Sequence, residues 1–119
     1  MDLAVPARPE SSPHLRATLR AFLASSGLAG RRMEDVLLAV GEAASNAIEH
    51  AYRGIEGEVR LRAYVIRGRL VVEVHDRGRW RLDGDPERGR GLGIMHALVD
   101  RVSIESSKSG TSVRLELGM

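Results

Sequence analysis

The chain contains no cysteine, which removes disulfide frameworks, thiolate metal sites and cysteine nucleophiles together. Its basic side chains are almost all arginine, and Lys108 is the only lysine. A P-loop needs Gly-Lys-Ser/Thr, and the protein-kinase signature needs a lysine on an early strand, so both nucleotide-binding schemes are excluded. Aromatic residues make up only 3% of the chain, too few for a platform on which single-stranded bases stack. The pI is 9.7, yet the net charge is only +2 and the arginines are dispersed, so no direct contact with nucleic acid is expected. No apolar run approaches the roughly 20 residues that cross a bilayer, and the N-terminus carries no leader-like stretch. These absences lead us to expect a protein of the reducing cytoplasm, with no membrane partner.

What is present fits one domain spanning residues 1–119. A chain of this size buries roughly two-thirds of the surface that its unfolded form exposes. Met1 to Arg8 includes a short apolar stretch suited to an edge strand. Ser12-Pro13 reads as a helix N-cap followed by proline at the first helical position, and Leu15, Leu19, Phe22 and Leu23 keep helical spacing up to Gly27. A second helix is expected from about Arg31 to Tyr52. Met33, Val36, Val40, Ala44, Ala47, Ile48 and Ala51 fall on one arc, with Asp35, Glu42, Asn46, Glu49 and Arg53 on the opposite one.

Val59, Leu61, Ala63 and Val65 then alternate with polar or outward positions, and Arg67-Gly68 makes a turn. In the next strand Leu70, Val72 and Val74 share a face, and a period of two places Asp76 on it as well. Arg77 to Gly91 is polar and rich in arginine and glycine. A short helix near Leu92 to Val99 leads to strands near Val102 to Ser106 and Thr111 to Leu117, where Thr111 is in phase with Val113, Leu115 and Leu117. The order predicts an α/β two-layer sandwich: a mixed, largely antiparallel sheet with helices packed on one face.

Four features carry possible chemistry. Glu42 and Asn46 lie one helical turn apart. A charged outer face explains them as well, but a carboxylate and a neutral amide at that spacing also suit a Mg²⁺ site, because magnesium takes few protein ligands. Asp76, on the core-side face at a strand end, either caps the turn at Arg77-Gly78 or accepts a donor from a ligand. Thr111 could serve the same polar end. The run Gly89-Arg90-Gly91-Leu92-Gly93 either turns a corner or lets backbone amides approach phosphates at a helix start, with Arg88 and Arg90 as cations nearby. The four histidines, His14, His50, His75 and His96, have no metal-site spacing.

Taken in order, these pieces resemble the boxes of the Bergerat-fold (GHKL) ATP-binding superfamily, which includes gyrase B and the sensor histidine kinases. Val40 to Tyr52, reading VGEAASNAIEHAY, resembles the N box, and Asp76-Arg77-Gly78 the first glycine box. Gly89 to Ile94 resembles the second glycine box, and Gly110-Thr111 the late Gly-Thr element. The form Glu-Ala-x-x-Asn-Ala-x-x-His-Ala-Tyr is most similar to the bacterial anti-sigma factor serine/threonine kinases. That resemblance implies ATP and Mg²⁺ as cofactors, with a sigma factor and an anti-anti-sigma protein as partners; relatives of this branch commonly form homodimers. Position by position, Asn46 would ligate Mg²⁺, Glu42 would be the general base, and Asp76 would accept the adenine amino group. Gly78 would allow close approach to the base, Thr111 would support the adenine side, and Arg90, Gly91, Leu92 and Gly93 would meet the phosphates. The first glycine box departs from the usual Asp-x-Gly-x-Gly, since Trp80 stands at its last position. Trp80 would narrow the adenine pocket, add a stacking surface or weaken affinity. Two alternatives stay open: a nucleotide-binding partner switch without phosphotransfer, and the catalytic domain of a histidine kinase.

Overall fold

The computed structural model describes residues 1–51 (side chains to 49), 57–77, 93–107 and 109–119. Five strands form one sheet: β1 Asp2–Pro6, β2 Glu58–Ile66, β3 Arg69–Asp76, β4 Arg101–Ser107 and β5 Gly110–Gly118. Their order is β1-β2-β3-β5-β4, and every neighbouring pair is antiparallel. The largely antiparallel sheet is thus present, with no parallel pair among the described residues. β5, last in sequence, is inserted between β3 and β4.

Helices α1 (Ser12–Ser25) and α2 (Gly30–Asn46) pack on one face of this sheet. Residues 93–98 are also helical. Leu15, Leu19 and Leu23 of α1 meet the core at 5%, 1% and 0% exposure, as their spacing requires. Burying each such side chain stabilises the fold by about 1.5–3 kcal/mol. The start of α1 differs from expectation. A 3-10 turn over Pro9–Ser11 leads into it, so Ser12 is already helical rather than the cap, and the Ser11 hydroxyl instead donates to the Pro6 carbonyl at 2.7 Å.

α2 also departs from its sequence reading, in two ways that matter for the site. Its α-geometry stops at Asn46, and the backbone widens into a π turn over Ala47–Ala51 rather than continuing to Tyr52, which lies outside the described residues. Such turns occur frequently at functional sites. Asn46 itself is buried, at 7% exposure, and does not belong to an outer polar arc. The covered arc is wider than the expected one because α2 meets both the sheet and α1, so Leu37, Ala39 and Ala43 are buried as well.

The opposite face of the sheet is a lattice of charges on paired strands. Arg62, Glu73, Arg114 and Ser103 occupy one cross-strand row, and Tyr64, Val71, Glu116 and Arg101 the next. The Tyr64 hydroxyl donates to one oxygen of Glu73 at 2.7 Å, and His75 Nε2 lies 2.9 Å from the other. Burial of Glu73 raises its pKa, but Tyr64, His75 and Arg62 outweigh that effect and hold it below the ordinary 4.5. Val71 is 1% exposed on this outer face although it has no place in the helix-side core cluster.

A carboxylate whose pKa is depressed by folding contributes stability above its unfolded pKa and loses it as pH falls through the folded value. Glu73→Gln is therefore expected to lower stability at pH 7 while flattening the decline below about pH 4.5. Tyr64→Phe should cost about 1 kcal/mol at neutral pH. Urea unfolding from pH 7 to pH 3 checks both, and parallel pH profiles for wild type and Glu73→Gln would contradict the assignment.

Candidate functional site

Strand periodicity builds the floor of the site. Leu70, Val72 and Val74 are each 1% exposed beneath the helices, and the same alternation carries Asp76 to 7% exposure at the end of β3. Asp76 faces Thr111 across the β3–β5 pairing, and Thr111 faces Ser106 across β5–β4. The hydroxyls of Thr111 and Ser106 are 3.2 Å apart. A carboxylate and two hydroxyls therefore stand in one row across three strands.

The close approach of β5 to this row depends on Gly110. Its φ is +141°, and a Cβ there would lie 2.1 Å from the Asp76 carbonyl oxygen and 2.8 Å from the Arg77 Cα. The Gly-Thr pair thus does two jobs. The glycine lets β5 start against the backbone that carries Asp76, and the next residue supplies the hydroxyl.

The wall of the site comes from α2. Among the described residues, the buried polar or charged side chains are Asn46, Asp76 and Thr111, all three of them residues singled out from the sequence. Both α2 and the π turn after it contact β3, the strand that carries Asp76, and Asn46 stands at the junction of the helix and that turn. Asn46 Nδ2 is buried without an acceptor among the described residues. An orphaned amide donor costs about 1–3 kcal/mol, and an anionic ligand oxygen would satisfy it. The carbonyl oxygen of the same amide is a hard donor of the kind magnesium takes. No three His, Cys, Asp or Glu side chains converge among the described residues. The donor set therefore fits a cation held mainly by phosphate oxygens and water, with one protein ligand.

Glu42 stands one turn before Asn46 and is partly buried. It also lines a groove of about 410 Å³ between α1 and α2, whose floor includes Leu19, Leu37 and Leu61. At the rim, Arg20 and Glu34 form an ion pair at 2.7 Å, linking the two helices. Periodicity along one helix cannot reveal a groove formed by two. Gly93 is exposed at the start of the helical segment 93–98, which Met95, 0% exposed, ties to the core. Gly78, Trp80, Arg88, Arg90, Gly91 and Leu92 lie outside the described residues. Ser106 was not singled out from the sequence, although its phase with Val102 and Ile104 would have placed it on the core-side face.

The two-layer fold, with a buried amide at the end of α2 and a buried carboxylate at the end of the sheet's central strand, is that of an ATPase domain of the histidine kinase type. The chain belongs to the histidine kinase-like ATPase domain family, whose model matches residues 5–117. It is similar to the serine-protein kinase RsbW of Bacillus pumilus, at 31% identity, with 97% of this chain and 83% of that protein aligned. That alignment spans 135 positions, more than the 119 residues here, so the relative carries residues inside the aligned span that this chain lacks. The anti-sigma F factor of Clostridium acetobutylicum is 30% identical, over 95% of this chain and 89% of its own length. Among solved structures, the RsbU and RsbW domains of a Mycobacterium tuberculosis protein superpose with a TM-score of 0.80 at 28% identity. That match covers 99% of this chain and 32% of the other.

Gly110→Ala is expected to displace the β3–β5 junction, because the clash is with backbone and not with a flexible side chain. A loss of at least about 2 kcal/mol in stability should appear in chemical unfolding, together with weaker nucleotide binding. Unchanged stability would show that β5 can shift without disturbing Asp76.

Proposed function

We propose that this chain is an ATP-dependent serine/threonine kinase that acts as an anti-sigma factor, binding Mg·ATP and phosphorylating an anti-anti-sigma protein. The observation that carries this reading is the burial of Asn46, with its amide donor unmet among the described residues, one turn beyond Glu42 and next to the π turn that contacts the strand presenting Asp76. The names of the similar proteins, serine-protein kinase and anti-sigma F factor, support it. Asn46 holds Mg²⁺ through its carbonyl oxygen, and Asp76 accepts the adenine amino group with Thr111 beside it. By analogy with the family motif, Gly78 allows close approach to the base, and Arg90, Gly91, Leu92 and Gly93 take the phosphate side. The cation, when bound, neutralises charge on the phosphates.

Glu42 is the general base in this scheme. It takes the proton of a substrate serine hydroxyl as that oxygen bonds to the γ-phosphorus and the bond to the β-phosphate breaks, releasing ADP. The groove along α1 and α2 supports transfer over nucleotide binding alone, because Glu42 is among the residues that line it. A sigma factor is the second partner, the setting is the cytoplasm, and two copies of the chain act together.

Calorimetric titration of ATP with and without Mg²⁺ tests the site. Wild type should bind in a magnesium-dependent manner, and Asn46→Ala should lose at least tenfold in affinity. Transfer of labelled phosphate to a purified anti-anti-sigma protein tests the activity. Glu42→Ala should retain ATP binding and lose at least 100-fold in transfer rate. Gly41→Leu, whose new side chain would enter open space beside the groove, should slow transfer without affecting ATP binding. An acid-labile product would assign the acceptor as histidine and sink the serine-kinase reading. ATP binding with no transfer at all would leave a partner switch.

A further inference from the structure

We propose that the open edge of β4 is the docking surface for a second copy of this chain, paired antiparallel to the first with Ser103 opposite the partner's Ser103. The inference rests on the reading that two copies act together, and names the surface through which they meet. The sheet has two edge strands, β1 and β4. An edge strand offers unpaired N–H and C=O groups to any other strand, and folds blunt that template with proline, with charge or by covering it. β1 ends in Pro6, and its one charged side chain, Asp2, already accepts from Arg60 Nε at 2.8 Å. β4 contains no proline, and no strand among the described residues pairs with its outer side. Val102 and Ile104 are only partly buried there, although their register partners Leu115 and Val113 are 2% and 0% exposed.

The segment Arg101-Val102-Ser103-Ile104-Glu105 is complementary to itself when read antiparallel. With Ser103 on the two-fold axis, Val102 opposes the partner's Ile104 and Arg101 opposes the partner's Glu105, and the symmetry makes each pair twice. Alternation along the strand sends Val102 and Ile104 to the helix side and Arg101, Ser103 and Glu105 to the outer face. The apolar pairs and the ion pairs therefore form on separate faces, as they do within the sheet itself. Glu105 is exposed and has no ion-pair partner among the described residues. Arg101, with a side chain 70% exposed, reaches Glu116 only at 3.9 Å. A pairing centred on Ile104 would set Val102 against Ser106 and Arg101 against Ser107, which loses both matches, so the sequence selects one register.

This pairing continues each sheet into the other, with the helices of both copies on one side and the charged faces on the other. The groove that Glu42 lines rests on Val59 and Leu61 of β2 and Val74 of β3, so it lies away from the joined edge. So short a strand contact falls below the area of a standard interface, and the dimer is accordingly weak and concentration-dependent.

The absence of cysteine permits a direct test of the register. Opposed Cα atoms of antiparallel strands lie about 5 Å apart, within disulfide reach. Ser103→Cys should therefore form a covalent dimer under mild oxidation at least about tenfold faster than Ser109→Cys, which lies in the turn beyond the paired segment. In sedimentation, Arg101→Glu and Glu105→Arg should each abolish self-association, because each sets like charges opposite one another twice. An equimolar mixture of the two variants should form a heterodimer, in which every opposed pair again joins opposite charges. Wild type that stays monomeric up to millimolar concentration would overturn this pairing and the two-copy reading together. A dimer that survives both reversals, a mixture that fails to associate, or equal crosslinking at residues 103 and 109 would overturn the β4 pairing alone.

Discussion

Placing the Asp76 carboxylate at the buried end of an otherwise apolar strand face is the constraint around which the site is organised. Removing a charge from water without partners costs several kcal/mol. Here the cost is met by local construction. β5 runs close enough to bring Thr111 opposite the carboxylate, and that approach is possible only because residue 110 has no side chain. α2 and the π turn after it contact the same strand, and the last α-helical residue, Asn46, is buried as well. The three buried polar residues thus share one cause.

Much of this was legible in the sequence, for reasons tied to particular residues. A period of two is rigid, so Leu70, Val72 and Val74 fixed the side of Asp76 without any tertiary information. The same rule placed Thr111 in phase with Val113 and Leu115. The helical wheel did less well with Asn46, because it assumes a single apolar stripe. α2 is covered by α1 on one flank and the sheet beneath, and under that double cover a polar position becomes interior. Ser12 was misread as a cap because Ser-Pro fits a helix start at either of two registers, and the 3-10 turn over Pro9–Ser11 selects the other. The π turn after Asn46 left no compositional trace, since Ala47 to Ala51 suit an α-helix equally well.

The outer face shows a different route to burial. Val71 has almost no exposure, although nothing from the helix layer covers it. Its cross-strand neighbours are Tyr64 and Glu116, and Glu73 and Glu116 are each 13% exposed among arginines. The long stems of such side chains shield apolar surface while their charged ends reach water. A two-layer protein can therefore protect the middle of its open sheet without a third layer, provided that charges of both signs alternate across the strands. Arg62, Glu73 and Arg114 do so in one row.

The position of β5 has a bearing on how the chain is made. It is the last strand in sequence, yet it lies inside the sheet, between β3 and β4. During synthesis β1 to β3 leave the ribosome before β5, so the native partner of the β3 edge is not yet made. At about 5–20 residues per second, the interval before β5 emerges lasts seconds. Throughout it, Val72, Val74 and Asp76 await their partners. Closure of the sheet therefore waits for β5, and so does the pairing that sets Thr111 opposite Asp76.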